Sequence, residues 1–183
     1  LFRTGFEAIT YPLDEISNQM TEHTYRSPGS SSLPNIAPDS QFYEYIGHQL
    51  YYKYQNEPTR SSCNPLSSNV TVLDGARIGS LYGSLNDFLY EFTRTYPLNI
   101  YLDCCKYPKS STLKSHWLKH ANSMFALAES IKLGLRGSVV DRSSSKPIQN
   151  ARVRVMGLDR HVTTNVDGAF WRPLVPGNIY DIL

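Results

Sequence analysis

No stretch of the sequence is long and apolar enough to form a bilayer-spanning helix, and no run of lysine and arginine extends along it. A net charge of +2 leaves no electrostatic footprint for nucleic acid. Acidic and basic tails are missing, as are internal repeats, and no serine stands in a nucleophile-elbow context. A leader peptide is not visible, but the chain opens at Leu1 rather than Met and closes at Leu183 inside a strand-like run, so it reads as an internal segment of a longer protein. Cysteine is scarce. The three present, Cys63, Cys104 and Cys105, cannot all pair within the chain. Cys104 and Cys105 are neighbours that would alternate faces of a strand, which leaves one of them to pair with Cys63 or with a segment outside the chain.

What is present is ordinary for a globular protein: 183 residues, enough for one or two domains, with 40% hydrophobic and 19% charged residues. Residues 17–38 are rich in Ser, Pro and Asn and read as a long surface loop. Asp39 is placed to cap a helix carrying Phe42, Ile46, Leu50 and Tyr54 on one stripe, with Tyr43 and Tyr51 beside it. Pro58 and Pro65 break the pattern around Cys63, and the sequon Asn69-Val70-Thr71 sits in a polar stretch as a glycosylation candidate. Glycines punctuate residues 75–90, which read as loop and short strand. A strand is expected over 98–103. The strongest helical pattern follows, with Ser110 or Ser111 as its cap, Leu113, Trp117, Ala121, Met124, Ala128 and Ile131 at helical spacing, and Lys132 and Gly134 at its end. His116 and His120 lie four apart on it, the spacing of a zinc pair, but without the glutamate of a metalloprotease helix they read as surface or half-buried histidines. Beyond Gly134, short β-branched or alternating runs at 135–140, 151–156, 161–164, 169–172 and 179–183 are separated by turns, the pattern of a small β-sandwich.

Within the strand-like run 99–108, Asn-Ile-Tyr-Leu-Asp-Cys-Cys-Lys-Tyr-Pro, the string Cys104-Cys105-Lys106-Tyr107-Pro108 resembles the end of the catalytic domain of zinc metallocarboxypeptidases of the carboxypeptidase E, N and D group. Residues 134–177 add to the likeness: Gly134-Leu-Arg-Gly-Ser-Val-Val-Asp, Pro147-Ile148, Ala151, Thr163-Thr164, Asp167-Gly168 and Pro173-Leu-Val-Pro-Gly177 are similar in kind and order to the transthyretin-like β-sandwich that follows this catalytic domain. The resemblance implies an α/β fold. Residues 1–133 would be the C-terminal part of a metallocarboxypeptidase domain, a mixed sheet with helices, and residues 134–183 the start of a truncated transthyretin-like β-sandwich domain. It also implies a place in the secretory pathway, extracellular or membrane-anchored through parts outside this chain. The partners it implies are a peptide or protein ligand and other domains of the same parent chain.

The resemblance further implies which positions would carry chemistry, and several have changed. The family base, a glutamate that takes the proton of zinc-bound water, falls on Tyr101. A phenol with a pKa of about 10 cannot take that role near neutral pH. The third zinc ligand, a histidine shortly before a Tyr-Pro-x-Asp turn, falls on Arg3 when counted back from Tyr11-Pro12-Leu13-Asp14. Arginine stays protonated and has no lone pair for Zn²⁺. The mobile tyrosine that contacts substrate falls on Gly79, with Tyr82 three residues on, while Asn86 keeps an amide where the family lines its pocket for basic C-terminal residues. No catalytic residue, bound zinc or other cofactor is therefore expected in this segment. The expected function is that of a non-catalytic binding or scaffolding segment of a carboxypeptidase D-like multidomain protein. The alternative is an active zinc carboxypeptidase that removes C-terminal Lys or Arg from peptides.

Overall fold

The computed structural model describes residues 8–14, 36–54, 72–79, 81–93, 95–102 and 107–183, with helical side chains at 51–54 left undescribed. Arg3, Cys63, Asn69, Cys104, Cys105 and most of the 17–38 loop lie outside them. The chain divides into two compact units, Leu1–Glu129 and Ser130–Leu183.

The first unit is built on a mixed sheet of three described strands, β1 (Ala8–Tyr11), β2 (Val72–Asp74) and β3 (Asn99–Tyr101). β1 is central: it runs parallel to β2, with Tyr11 opposite Asp74, and antiparallel to β3, with Ala8 opposite Tyr101. All four residues of β1 are buried, so the strand shows none of the polar–apolar alternation that a one-faced strand displays. Helix α1 (Ser40–Tyr54) buries Phe42, Tyr43, Ile46 and Leu50, the stripe that its sequence spacing marks. The Asp39 carbonyl accepts the amides of Phe42 and Tyr43 at the helix start. Its carboxylate accepts the Tyr90 hydroxyl at 2.8 Å. The core gathers tyrosines: Tyr11 stacks on Tyr43 with ring centres 5.3 Å apart, and Tyr90 and Tyr96 pack around them with Leu13, Ala37 and Leu98.

Residues 75–90 differ from the loop and short strand expected there. A 3-10 turn at Gly75–Arg77 is followed by helix α2 (Leu85–Thr93). The glycines end at Gly83, and Ser84 then caps the helix by accepting the Asp87 amide at 3.1 Å, so the punctuation stops just where the helix begins. Helix α3 (Leu113–Ser130) also departs from expectation at its start and on its face. Neither Ser110 nor Ser111 caps it; a 3-10 turn at Ser110–Thr112 leads in, with Lys109 as the residue before. The buried positions are His120, Ser123 and Ala126, whereas Leu113, Trp117 and Ile131 are exposed. Ser123 accounts for part of this difference, since its hydroxyl donates to the Leu50 carbonyl at 2.9 Å and ties that face of α3 to the end of α1.

The second unit consists of two antiparallel ladders. β4 (Leu135–Ser138) pairs with β7 (Ala169–Arg172), and β5 (Arg152–Val155) pairs with β6 (Leu158–Thr163). β6 begins at Leu158 rather than 161 because Met156-Gly157, with Gly157 at φ +81°, closes a tight hairpin. Residues 179–183 are not a full strand, but Arg154 and Leu183 exchange backbone hydrogen bonds and Ile182 bridges Val155. Val153, Val155, Val162 and Leu174 are buried, and Thr164 links two loops by accepting the Ala151 amide and donating to the Ile148 carbonyl.

Candidate functional site at the ends of the parallel strands

In open α/β sheets the carboxyl ends of parallel strands are where function concentrates, because the loops that follow converge there. Here β1 runs into Pro12, Leu13 and Asp14, and β2 into the Gly75–Arg77 turn. Asp14 is the hub. Its amide donates to the Asp87 carboxylate at 2.8 Å and its carbonyl accepts the Leu81 amide at 3.0 Å, which fastens the 81–87 segment to the end of β1. Its carboxylate lies so close to Gly75 that a Cβ there would stand 1.5 Å from Oδ1. Burial pushes the Asp14 carboxyl above its ordinary range, hydrogen bonds from Ser84 and Asn86 oppose this, and the negative charge of Asp74 adds to it. Asp74 itself accepts the Arg77 amide at 3.2 Å and pairs with the Arg77 guanidinium at 2.7 Å.

The family-assigned positions can be placed on this frame. Tyr101 ends β3, half-buried, opposite Ala8. Burial raises its hydroxyl pKa, the Asp14 charge raises it further, and a hydrogen bond with Thr10 works against both. The phenol is thus protonated throughout the neutral range and holds no proton-accepting charge. Gly79 follows the 3-10 turn, its amide bonded to the Gly75 carbonyl at 3.3 Å, and it has no side chain to offer a substrate. Tyr82, three residues on, is solvent-exposed. Asn86 is buried on the inner side of α2. Its side-chain nitrogen makes no hydrogen bond of good geometry among the described residues, yet it lies close enough to Asp14 to favour the ionised carboxylate.

Tyr11, next to the hub, donates to Glu44 at 3.0 Å, and burial together with the Glu44 charge drives its pKa far up. His116 is half-exposed and His120 buried on α3. Among the described residues no three His, Cys, Asp or Glu side chains are gathered to hold a metal ion. These residues therefore do not offer the donor set that a catalytic zinc requires. Reading the sequence singled out Tyr101, Gly79 and Asn86 but passed over Asp14, Asp74 and Ser84 as a joined group. One local signal for it was available: Ser84-Leu-Asn-Asp87 has the spacing of a capping box, with a helix to follow.

Comparison with known proteins gives the class: the chain is a carboxypeptidase-like segment. It is homologous to carboxypeptidases D and Z. It is 33% identical over 179 residues to carboxypeptidase D of Drosophila melanogaster and 26% identical over 177 residues to carboxypeptidase D of Homo sapiens. To carboxypeptidase Z of Homo sapiens it is 34% identical over 177 residues. These alignments cover 96%, 94% and 94% of this chain but only 12%, 12% and 26% of the relatives' own lengths. No family model matches the chain.

Proposed function

We propose that this segment is a non-catalytic member of the zinc metallocarboxypeptidase family, serving as a binding or scaffolding part of a carboxypeptidase D-like multidomain protein. The observation that carries the reading is Tyr101: the position of the family base is a half-buried phenol whose pKa is raised, so no group there takes a proton from water near neutral pH. Gly79 removes the substrate-contacting phenol, and Arg3 occupies the place of a zinc ligand in the sequence. Among the described residues, a core of tyrosines packs under the sheet that carries Tyr101, and Asn86 is buried beside Asp14, which supports a folded segment with a polar group left near that sheet. A peptide or protein ligand, held without cleavage, is the partner this arrangement suits. Residues 134–183 serve as the start of a transthyretin-like β-sandwich, a role supported by their two antiparallel ladders and the order of their motifs.

The parent protein acts in the secretory pathway, with Asn69 glycosylated and the cysteines in structural roles. No described helix is long and apolar enough to cross a membrane. The test is metal content: the parent protein, carrying this segment as its sole carboxypeptidase repeat, is purified after zinc loading and analysed by elemental mass spectrometry. Substoichiometric zinc supports the reading. One tightly held zinc per chain would favour the alternative, a working carboxypeptidase for C-terminal Lys or Arg.

A further inference from the structure

Helix α2 turns its polar side inward. Asn86, Asp87 and Tyr90 are its buried side chains, whereas Leu85 is 70%, Phe88 54% and Phe92 76% exposed. With the half-buried Leu89 these form a stripe at i, i+3, i+4 and i+7, the spacing at which one helix presents anchors to a partner. The Phe88 and Phe92 rings stand 5.5 Å apart, centre to centre, so they share one surface. Leu81 and Tyr82, just before the helix, are exposed as well. The polar side is the one that is held. The Asp87 carboxylate accepts the Asp14 amide, Ser84 caps the first turn, and Tyr90 donates to the Asp39 carboxylate. The stripe cannot turn inward without breaking these bonds.

We propose that the outer face of α2 docks the ligand, and that the ligand presents a helical segment with an apolar stripe rather than a C-terminal Lys or Arg. The inference deepens the non-catalytic reading and rests on it for the existence of a ligand held without cleavage. Charge decides the class of ligand. At the strand ends Asp14, Asp74 and Asp87 are buried, Asp74 is paired with Arg77, and Asp87 is engaged by the Asp14 amide, so none is presented to a basic side chain. Residues 81–93 leave one charge exposed, Glu91, which flanks the stripe three residues beyond Phe88. A ligand that matches this face carries leucine, phenylalanine or similar side chains along its own stripe, with a lysine or arginine beside them to meet Glu91. Apolar surface removed from water drives the association, and the pair with Glu91 fixes its register. Exposed apolar surface rimmed by polar groups is the mark of such a docking face.

The test is fluorescence anisotropy on the full parent protein with two labelled probes. One is a helical peptide bearing Leu and Phe at i, i+3, i+4 and i+7 with a flanking lysine; the other is a polar peptide of equal length and net charge that ends in Arg. Saturable binding of the apolar probe is expected, about tenfold tighter than that of the Arg-ended probe. Phe88→Ser combined with Phe92→Ser should weaken the apolar probe about tenfold and leave the Arg-ended probe unchanged. Glu91→Lys should weaken the apolar probe several-fold at low salt. No saturable binding of the apolar probe, tighter binding of the Arg-ended probe, or undiminished binding to the double variant would overturn the proposal. A parent dimer in sedimentation that the double variant abolishes would also overturn it, by giving the face to a second copy. Should the double variant fail to fold, Leu85→Gln replaces it, and an undiminished affinity there overturns the proposal. Release of the terminal residue, followed on the same samples, keeps the two readings apart. Turnover defeats the non-catalytic reading whatever the probes do, whereas no turnover and no probe binding defeats the docking face alone.

Discussion

Replacing Gly75 by alanine is expected to destabilise the first unit by about 2–3 kcal/mol. The new Cβ would stand 1.5 Å from Oδ1 and 2.6 Å from Cγ of Asp14, but 3.5 Å from its Cα, so the conflict is with the side chain rather than the backbone. The carboxylate must swing away, and it would give up the donors Ser84 and Asn86 while staying buried. A hydrogen bond to a charged group is worth about 1.5–3 kcal/mol, and two imperfect ones therefore cost about 3 kcal/mol together. Against this, alanine reduces the freedom of the unfolded chain and recovers about 0.5 kcal/mol, because Gly75 does not sit at positive φ. Urea unfolding of the parent protein at pH 7 measures the difference. A double-mutant cycle with Asp14→Ala isolates the cause: without the carboxylate, Gly75→Ala should be neutral or slightly stabilising, a coupling of about 2 kcal/mol or more. If Gly75→Ala proves as costly without Asp14 as with it, the close approach of the two residues is not what keeps position 75 a glycine.

Two further expectations concern single contacts. Tyr90→Phe removes the hydroxyl that donates to the Asp39 carboxylate at 2.8 Å and accepts its amide at 3.3 Å, in a buried setting, and should cost about 2 kcal/mol by urea unfolding, whereas a loss below about 0.5 kcal/mol would refute this. In the second unit, Gly168 and Gly157 both have positive φ, but only at Gly168 would a Cβ meet backbone, 2.5 Å from the Val139 carbonyl. Both alanine variants should pay the strain of about 1–3 kcal/mol, and Gly168→Ala should pay clearly more. Equal melting temperatures for the two would show that crowding by Val139 contributes nothing.

Elements with a one-sided pattern and some length were legible in the sequence. The α1 stripe is the clearest, since Phe42, Ile46 and Leu50 recur at helical spacing and all are buried. The short strands of the second unit were marked by their turns, with Gly157 and Gly168 at the positive φ such turns require. β1 escaped notice because four residues buried on both faces give no alternation to read. α2 was hidden behind Gly75, Gly79 and Gly83, although Ser84 and Asp87 mark its start. On α3 the apolar stripe was read from hydrophobicity alone, while the buried face carries His120, Ser123 and Ala126, and the bond of Ser123 to the Leu50 carbonyl is a contact that no pattern of apolar residues encodes. The site was legible only in part for a related reason. Tyr101, Gly79 and Asn86 stand out against a family pattern, but the bond from the Asp14 amide to the Asp87 carboxylate joins residues 73 positions apart and exists only once the chain has folded.

The central claim is that the base position is chemically empty, and turnover tests it most directly. The parent protein, with this segment as its sole carboxypeptidase repeat, is incubated with peptides ending in Arg or Lys, zinc is supplied, and release of the terminal residue is followed by mass spectrometry beside a Tyr101→Phe variant. The account predicts no release above the protein-free control for either protein. Release by the natural chain that is lost in Tyr101→Phe would contradict it.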